Sequence, residues 1–138
     1  KNYKTGINLM KKKCLIVVAD YYKDIANGLI RSALKIILKK NIIKVIKVPG
    51  VFEIPVTISK NLKKYDGFLA LGCVIKGQTP HFDFISKAAT DAIMKLSLES
   101  KKPIGNGIIT CLNMAQAKAR KKKGAEAAEA VISVLSQK

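Results

Sequence analysis

A chain of 138 residues, 49% apolar, is long enough for one domain with its own core and too apolar to stay disordered. No apolar run approaches the roughly 20 residues that cross a bilayer, and the run at 14–19 is too short for a signal-peptide core, so a cytoplasmic protein is expected. The formal net charge of +17 would suit a polyanionic partner. The lysines are nevertheless spread along the chain, with no recognition helix and no RNA-binding aromatic pattern, so nucleic acid is the lesser reading.

Residues 1–13 are polar and basic, with Ile7 and Leu9 alternating, as an arm or edge strand would be. Cys14–Val18 reads as a first buried strand. The loop after it, 19–23, carries Tyr21 and Tyr22; an aromatic there either stacks on a planar ligand or packs on the next helix. Asp24 caps or charges that helix's N-terminus. Ile25, Leu29, Ala33, Ile36 and Ile37 follow at helical spacing, and Lys39 and Lys40 suit the last turn. Ile42–Val48, rich in β-branched residues, is a second strand.

Pro49-Gly50 marks a turn, and Pro55 suits the first turn of a short helix running to about Leu62. Glu53 is an acid inside this otherwise apolar stretch. It is either a solvated first-turn charge or an acceptor for a polyol or amine ligand.

Phe68–Val74 is almost wholly apolar, as a strand buried on both faces would be, and a polar loop with Gly77, Gln78, Thr79 and Pro80 follows. From Phe84 or Ile85 the spacing is helical through Ala88, Ala89, Ala92, Ile93 and Leu96 to about Ser100. The carboxyl end of a parallel strand is where open α/β sheets bind ligands, and the free amides of the next helix attract anions. His81, the only histidine, stands at this junction. An imidazole, with an ordinary pKa of about 6.5, suits proton transfer near neutrality; the alternative is a surface or capping histidine.

Lys102-Pro103 breaks the helix, and Ile104–Cys111 is a fourth strand. Met114 to about Lys121 and Ala125–Leu135 are helical, separated by the basic run 120–124, which is either a solvated face or an anion site. Cys14, Cys73 and Cys111 lie in or at the ends of strands, with no CxxC pair. We read them as reduced, buried small hydrophobes rather than zinc ligands. The alternation predicts a single α/β domain, 1–138, with a four-stranded parallel sheet and helices on both faces in three layers. GxGxxG, Walker and GxSxG fingerprints are absent.

Two ordered segments then carry a resemblance. Val48-Pro49-Gly50-Val51-Phe52-Glu53-Ile54-Pro55 is similar to the VPGAFEIP of the lumazine synthases, and Gly72–Phe84 resembles their LGxVIRGxTxHFDY. Ile104–Thr110, Met114–Arg120 and Gly124–Ala128 resemble that family's later strand and helices, so the likeness spans about Cys14 to Val134.

The resemblance implies a flavodoxin-like fold and a cofactor-free, metal-free condensation. A ribitylamino-aminopyrimidinedione joins 3,4-dihydroxy-2-butanone 4-phosphate, and 6,7-dimethyl-8-ribityllumazine forms as phosphate leaves. By the same resemblance, Tyr21 faces the pyrimidine, and Val51, Phe52 and Glu53 meet the ribityl chain and ring. Val74, Ile75 and Lys76 hold the ring's other side, and Gln78 and Thr79 offer amides to phosphate. His81 is the acid–base group. Asn106 and the phosphate-binding Arg120 come from a neighbouring subunit, with Lys123 near the site.

The family forms pentamers, sometimes gathered into sixty-subunit shells. Here Lys76 replaces a frequent Arg, Val51 replaces Ala, and the links near 39–44, 59–64 and 120–124 are shorter than usual. The competing reading is a flavin or lumazine carrier of the same fold.

Overall fold

The computed structural model describes residues 11–37, 41–78 and 81–137. The expectations for Ile7 and Leu9, for Lys39 and Lys40, and for Thr79 and Pro80 fall outside these residues.

Four strands form one sheet: β1 (Lys13–Ala19), β2 (Ile42–Val48), β3 (Gly67–Ile75) and β4 (Ile104–Cys111). Their order is β2-β1-β3-β4, and every pairing is parallel. β3 is buried along its whole length and β1 everywhere but Lys13, as apolar runs covered on both faces must be. β2 lies at one edge, where Lys44 and Lys47 keep that edge charged, a common guard against pairing with another chain.

Alternate residues feed two cores. On one face Cys14, Ile16, Val18, Leu69, Leu71, Cys73, Ile75, Ile109 and Cys111 pack against α1 (Lys23–Ile37), α4 (Met114–Ala119) and α5 (Lys123–Leu135). On the other, Leu15, Val17, Phe68, Ala70, Val74 and Ile108 pack against α2 (Ile54–Lys60) and α3 (Phe82–Ser100). The result is the expected three-layer α/β arrangement. No helix among the described residues is long and apolar enough to cross a membrane.

The chain leaves β1 toward β2 and later returns to β1's other side as β3. That reversal is a topological switch point, and the loops after β1 and β3 diverge there to leave a crevice.

Two of the boundary differences from expectation bear on the clefts. Val51–Glu53 forms a 3₁₀ turn ahead of α2, with Pro55 in that helix's first turn as anticipated. α4 stops at Ala119 and α5 begins at Lys123, so the basic link is shorter than the sequence pattern suggests. Ser32 on α1 is the physical reason. Its hydroxyl donates to the Lys121 carbonyl (2.8 Å) and accepts from the Ala125 amide (3.0 Å), satisfying groups at the start of α5 from another helix.

The three cysteines are free and buried. Burial, and secondarily the Asp66 carboxylate, push the Cys14 thiol from 9.0 up to about 11. Burial, and then the neighbouring Cys111 thiol, push Cys73 to about 12. The folded state therefore keeps these protons where the unfolded chain would lose them. The associated stabilisation is fully present below about pH 9 and is lost as pH rises through about 11–12. Native protein at pH 8.5 should accordingly react with iodoacetamide at least about tenfold more slowly than urea-unfolded protein. Equal rates would mean that the thiols are neither buried nor shifted.

Candidate active site

Three loops meet at the carboxyl end of the sheet. They line a cleft of about 270 Å³ with Tyr21 and Tyr22 after β1, Pro49 to Glu53 after β2, Cys73 and Val74 from β3, Gln78 from the turn after it and Ile85 from α3. The volume lies just below the usual range for ligand sites, about 300–1,000 Å³. Six of the nominated residues meet here: Tyr21, Val51, Phe52, Glu53, Val74 and Gln78.

Each has a structural reason for its position. Val51 is almost fully buried and forms the floor, its Cγ2 lying 2.9 Å from where a Cβ on Gly72 would stand. Ala19 Cβ would lie 3.1 Å from the same point, so only a glycine in β3 lets the floor close this tightly. Phe52, by contrast, is 58% exposed and Tyr21 74% exposed, both far more open than large apolar rings normally are in a finished core. Glu53 is half-buried at the N-cap position of α2, and its side chain makes no capping hydrogen bond. It thus carries its charge at a helix N-terminus and is among the residues that line the cleft.

The turn after β3 is defined by its backbone. The Gln78 amide donates to the Ile75 carbonyl at 3.1 Å, and Gly77 has φ +85°, the left-handed value that the third residue of a type II turn requires. Lys76 is exposed, and its amide donates to the Cys111 carbonyl at 2.9 Å. The Ile75 side chain is fully buried in the core, so it can offer a ligand only its main chain.

His81 is exposed and adopts φ 56°, ψ 40°, left-handed for a residue that bears a Cβ. Such a conformation costs about 1–2 kcal/mol and tends to persist at functional sites. The His81 carbonyl accepts from Ile85 at 2.8 Å, but the imidazole makes no capping hydrogen bond, so a capping side chain is not its role.

The remaining nominees stand apart. Arg120 and Lys123 line a second cleft of about 500 Å³ with Ile108, Ile109, Thr110, Lys122 and Glu126. The guanidinium donates through Nη1 to the Thr110 carbonyl at 3.1 Å, and the Lys123 ammonium lies 3.5 Å from Glu126. Asn106 is exposed on β4, opposite Ala70, and its Oδ1 accepts from the Ile108 amide. One chain therefore presents an aromatic and acidic cleft at one place and a basic cleft at another. Among the described residues no cluster of three or more His, Cys, Asp or Glu could hold a metal ion.

Sequence reasoning left the roles of the two tyrosines undecided, and the structure brings both to the cleft. Tyr22 packs on the α1 face of the core while Tyr21 stands out at the cleft, their rings edge to face at 4.9 Å. The Tyr22 hydroxyl also reaches Gln78, 56 positions away, at 3.2 Å, a contact with no local sequence signal.

The sequence model of the 6,7-dimethyl-8-ribityllumazine synthases matches residues 11–138. The chain belongs to the lumazine synthase family. Among its relatives, a 6,7-dimethyl-8-ribityllumazine synthase of Agrobacterium fabrum is 41% identical, over 94% of this chain and 97% of that protein. The synthase of Cutibacterium acnes is 37% identical over 96% of this chain and 85% of its own length. That of Bartonella tribocorum is 39% identical over 94% and 93%. Membership in the lumazine synthase family thus rests on sequence similarity along residues 11–138, not on the two motif segments alone.

The fit of Val51 over Gly72 can be tested directly. Gly72→Ala should destabilise by about 1–3 kcal/mol, the usual cost of overpacking. Adding Val51→Ala, which removes the opposing methyls, should recover part of that loss in denaturant unfolding. Additive destabilisation in the double variant would mean that the two residues do not share this space.

Proposed function

We propose that this protein is the transferase of riboflavin biosynthesis that condenses 5-amino-6-(D-ribitylamino)uracil with 3,4-dihydroxy-2-butanone 4-phosphate. The product is 6,7-dimethyl-8-ribityllumazine, with release of phosphate and water. The observation that carries the proposal is the convergence of the Val48–Pro55 and β3–α3 segments on one cleft, in a chain of this family.

The chemistry asks for a planar slot, partners for ribityl hydroxyls, an anion site and a proton shuttle. Tyr21 and Phe52 offer exposed rings to a flat heterocycle, with Val51 and Val74 as apolar floor. The Glu53 carboxylate is an acceptor for ribityl hydroxyls or the amine. Lys76 and the Ile75 main chain border the ring. Gln78, in the turn after β3, receives phosphate together with Thr79, helped by the N-terminal amides of α3. His81, exposed beside that turn, moves protons as the imine forms and phosphate departs.

We further propose that the site is completed by a second copy of the chain in a pentamer, with shells of pentamers as a further option. The basic cleft of one copy, with Arg120 and Lys123, then faces the acceptor cleft of the next, and Asn106 joins from the same edge strand. The smallness of the first cleft, the exposure of Tyr21 and Phe52 at its mouth, and the separation of Arg120 from it within one chain all support that arrangement. No cofactor, metal, specific nucleic acid or membrane is required, and the setting is the cytoplasm.

Purified protein mixed with both substrates should generate lumazine absorbance and fluorescence at a rate that EDTA leaves unchanged. Abolition by EDTA with recovery on adding metal would overturn the cofactor-free mechanism.

His81→Ala should lower kcat by roughly 10- to 1000-fold while leaving measurable turnover, because general acid–base help is typically about 10²–10⁴ and water substitutes in part. An unchanged kcat would remove the imidazole from the chemistry.

A guanidinium can clamp two phosphate oxygens at once, which an ammonium cannot. Arg120→Ala should therefore raise KM for the butanone phosphate by roughly tenfold or more and leave KM for the pyrimidine amine nearly constant. Equal changes for both substrates would assign phosphate recognition to another residue.

A further inference from the structure

Tyr22 links the loop after β1 to the turn after β3, and neither motif segment contains it. Its main chain starts α1, the Tyr22 carbonyl accepting from the Ala26 amide at 2.9 Å. Its ring is half-buried against the core formed by α1, α4 and α5. The position of the phenol is therefore set by packing and by helix geometry together. From that anchor two contacts reach into the cleft: the ring meets Tyr21 edge to face at 4.9 Å, and the hydroxyl lies 3.2 Å from Gln78 Oε1.

The hydroxyl contact has a directional consequence. The Gln78 main-chain amide is already engaged with the Ile75 carbonyl at 3.1 Å, closing the turn after β3. The side-chain carboxamide is the group still able to choose which end it turns to the cleft that Gln78 lines. An amide has an acceptor end and a donor end. With the phenol donating to Oε1, the Nε2 end with its two hydrogens is left to face a ligand.

We propose that Tyr22 is a positioning residue that orients the Gln78 carboxamide as a donor toward the phosphate of the substrate. This deepens the proposed function, since it rests on the turn at Gln78 as the phosphate site. Tyr22 itself touches no reacting atom in this account. Its ring steadies the exposed Tyr21, and its hydroxyl decides which face Gln78 presents.

The test is isothermal titration calorimetry with inorganic phosphate on four full-length proteins: wild type, Tyr22→Phe, Gln78→Ala and the double variant. Tyr22→Phe keeps the ring and its packing, so its thermal midpoint should match wild type. Its phosphate affinity should fall by about 3- to 10-fold, the range for one hydrogen bond. The double variant should bind phosphate no more weakly than Gln78→Ala alone, because the hydroxyl acts only through Gln78. Affinity for the pyrimidine amine should not change on Tyr22→Phe.

Wild-type affinity in Tyr22→Phe, losses that multiply in the double variant, or no phosphate binding by wild type would each overturn the inference. So would equal losses for phosphate and amine, which mark a general loosening of the loops. Failure of wild type to form lumazine would overturn the proposed function instead, and the calorimetric cycle would still decide the role of Tyr22.

Discussion

Burial of β1 and β3 on both faces, side by side in the middle of the sheet, is the constraint on which the rest of the structure depends. Strands covered on both faces must be apolar throughout, and their parallel pairing forces a helical crossover between them. The reversal of strand order then falls beside β1, and the crevice opens there rather than elsewhere. Register matters as much as composition. Val17 stands opposite Ala70 and Val18 opposite Leu71, which sends Cys73 and Val74 to opposite faces as they reach the cleft. A slip by one residue would exchange the two cores and lift Val51 off Gly72.

From that frame the cleft acquires a division of labour. Its floor is rigid because it is core: Val51, Val74 and Ala19 are nearly inaccessible to solvent. Its rim is polar or aromatic because it is loop, and the strained left-handed His81 stands where α3 begins, outside the residues that line the cleft. The basic cleft on β4, α4 and α5 is built by different physics. The hydroxyl of Ser32 fixes the short link after Arg120 from the neighbouring helix, and the Thr110 carbonyl holds the guanidinium. In the proposed assembly these two open clefts, one acidic and aromatic and one basic, are brought together head to tail between copies.

Much of this was legible in the sequence where apolar patterning decides the outcome. β2 and β4 run as their residues suggest, and β1 and β3 extend one residue further at each end because their neighbours pair that far. The two motif segments also had to converge, since they follow β2 and β3. The 3₁₀ turn at Val51–Glu53 was not legible, nor was the early end of α4, because each depends on contacts made across the fold. For α4 and α5 the deciding contact comes from Ser32, 89 positions before Lys121. The Tyr22–Gln78 contact escaped for the same reason, although both residues were in view. Ile75 shows the converse: its motif position nominates it, while the alternation of β3 turns its side chain into the core.

The central claim is that each site is shared between two copies, one supplying His81 and the next supplying Arg120. Complementation between two crippled chains tests it most directly. His81→Ala and Arg120→Ala proteins would be unfolded together, mixed in equal amounts, refolded and assayed for lumazine formation at limiting butanone phosphate. In a ring of shared sites, random mixing gives about a quarter of the sites a wild-type His81 and a neighbour's wild-type Arg120. Activity should then rise to about a quarter of wild type, well above the mean of the two variants. If both residues serve a site within one chain, no mixed assembly contains an intact site, and activity no higher than that mean would contradict the account.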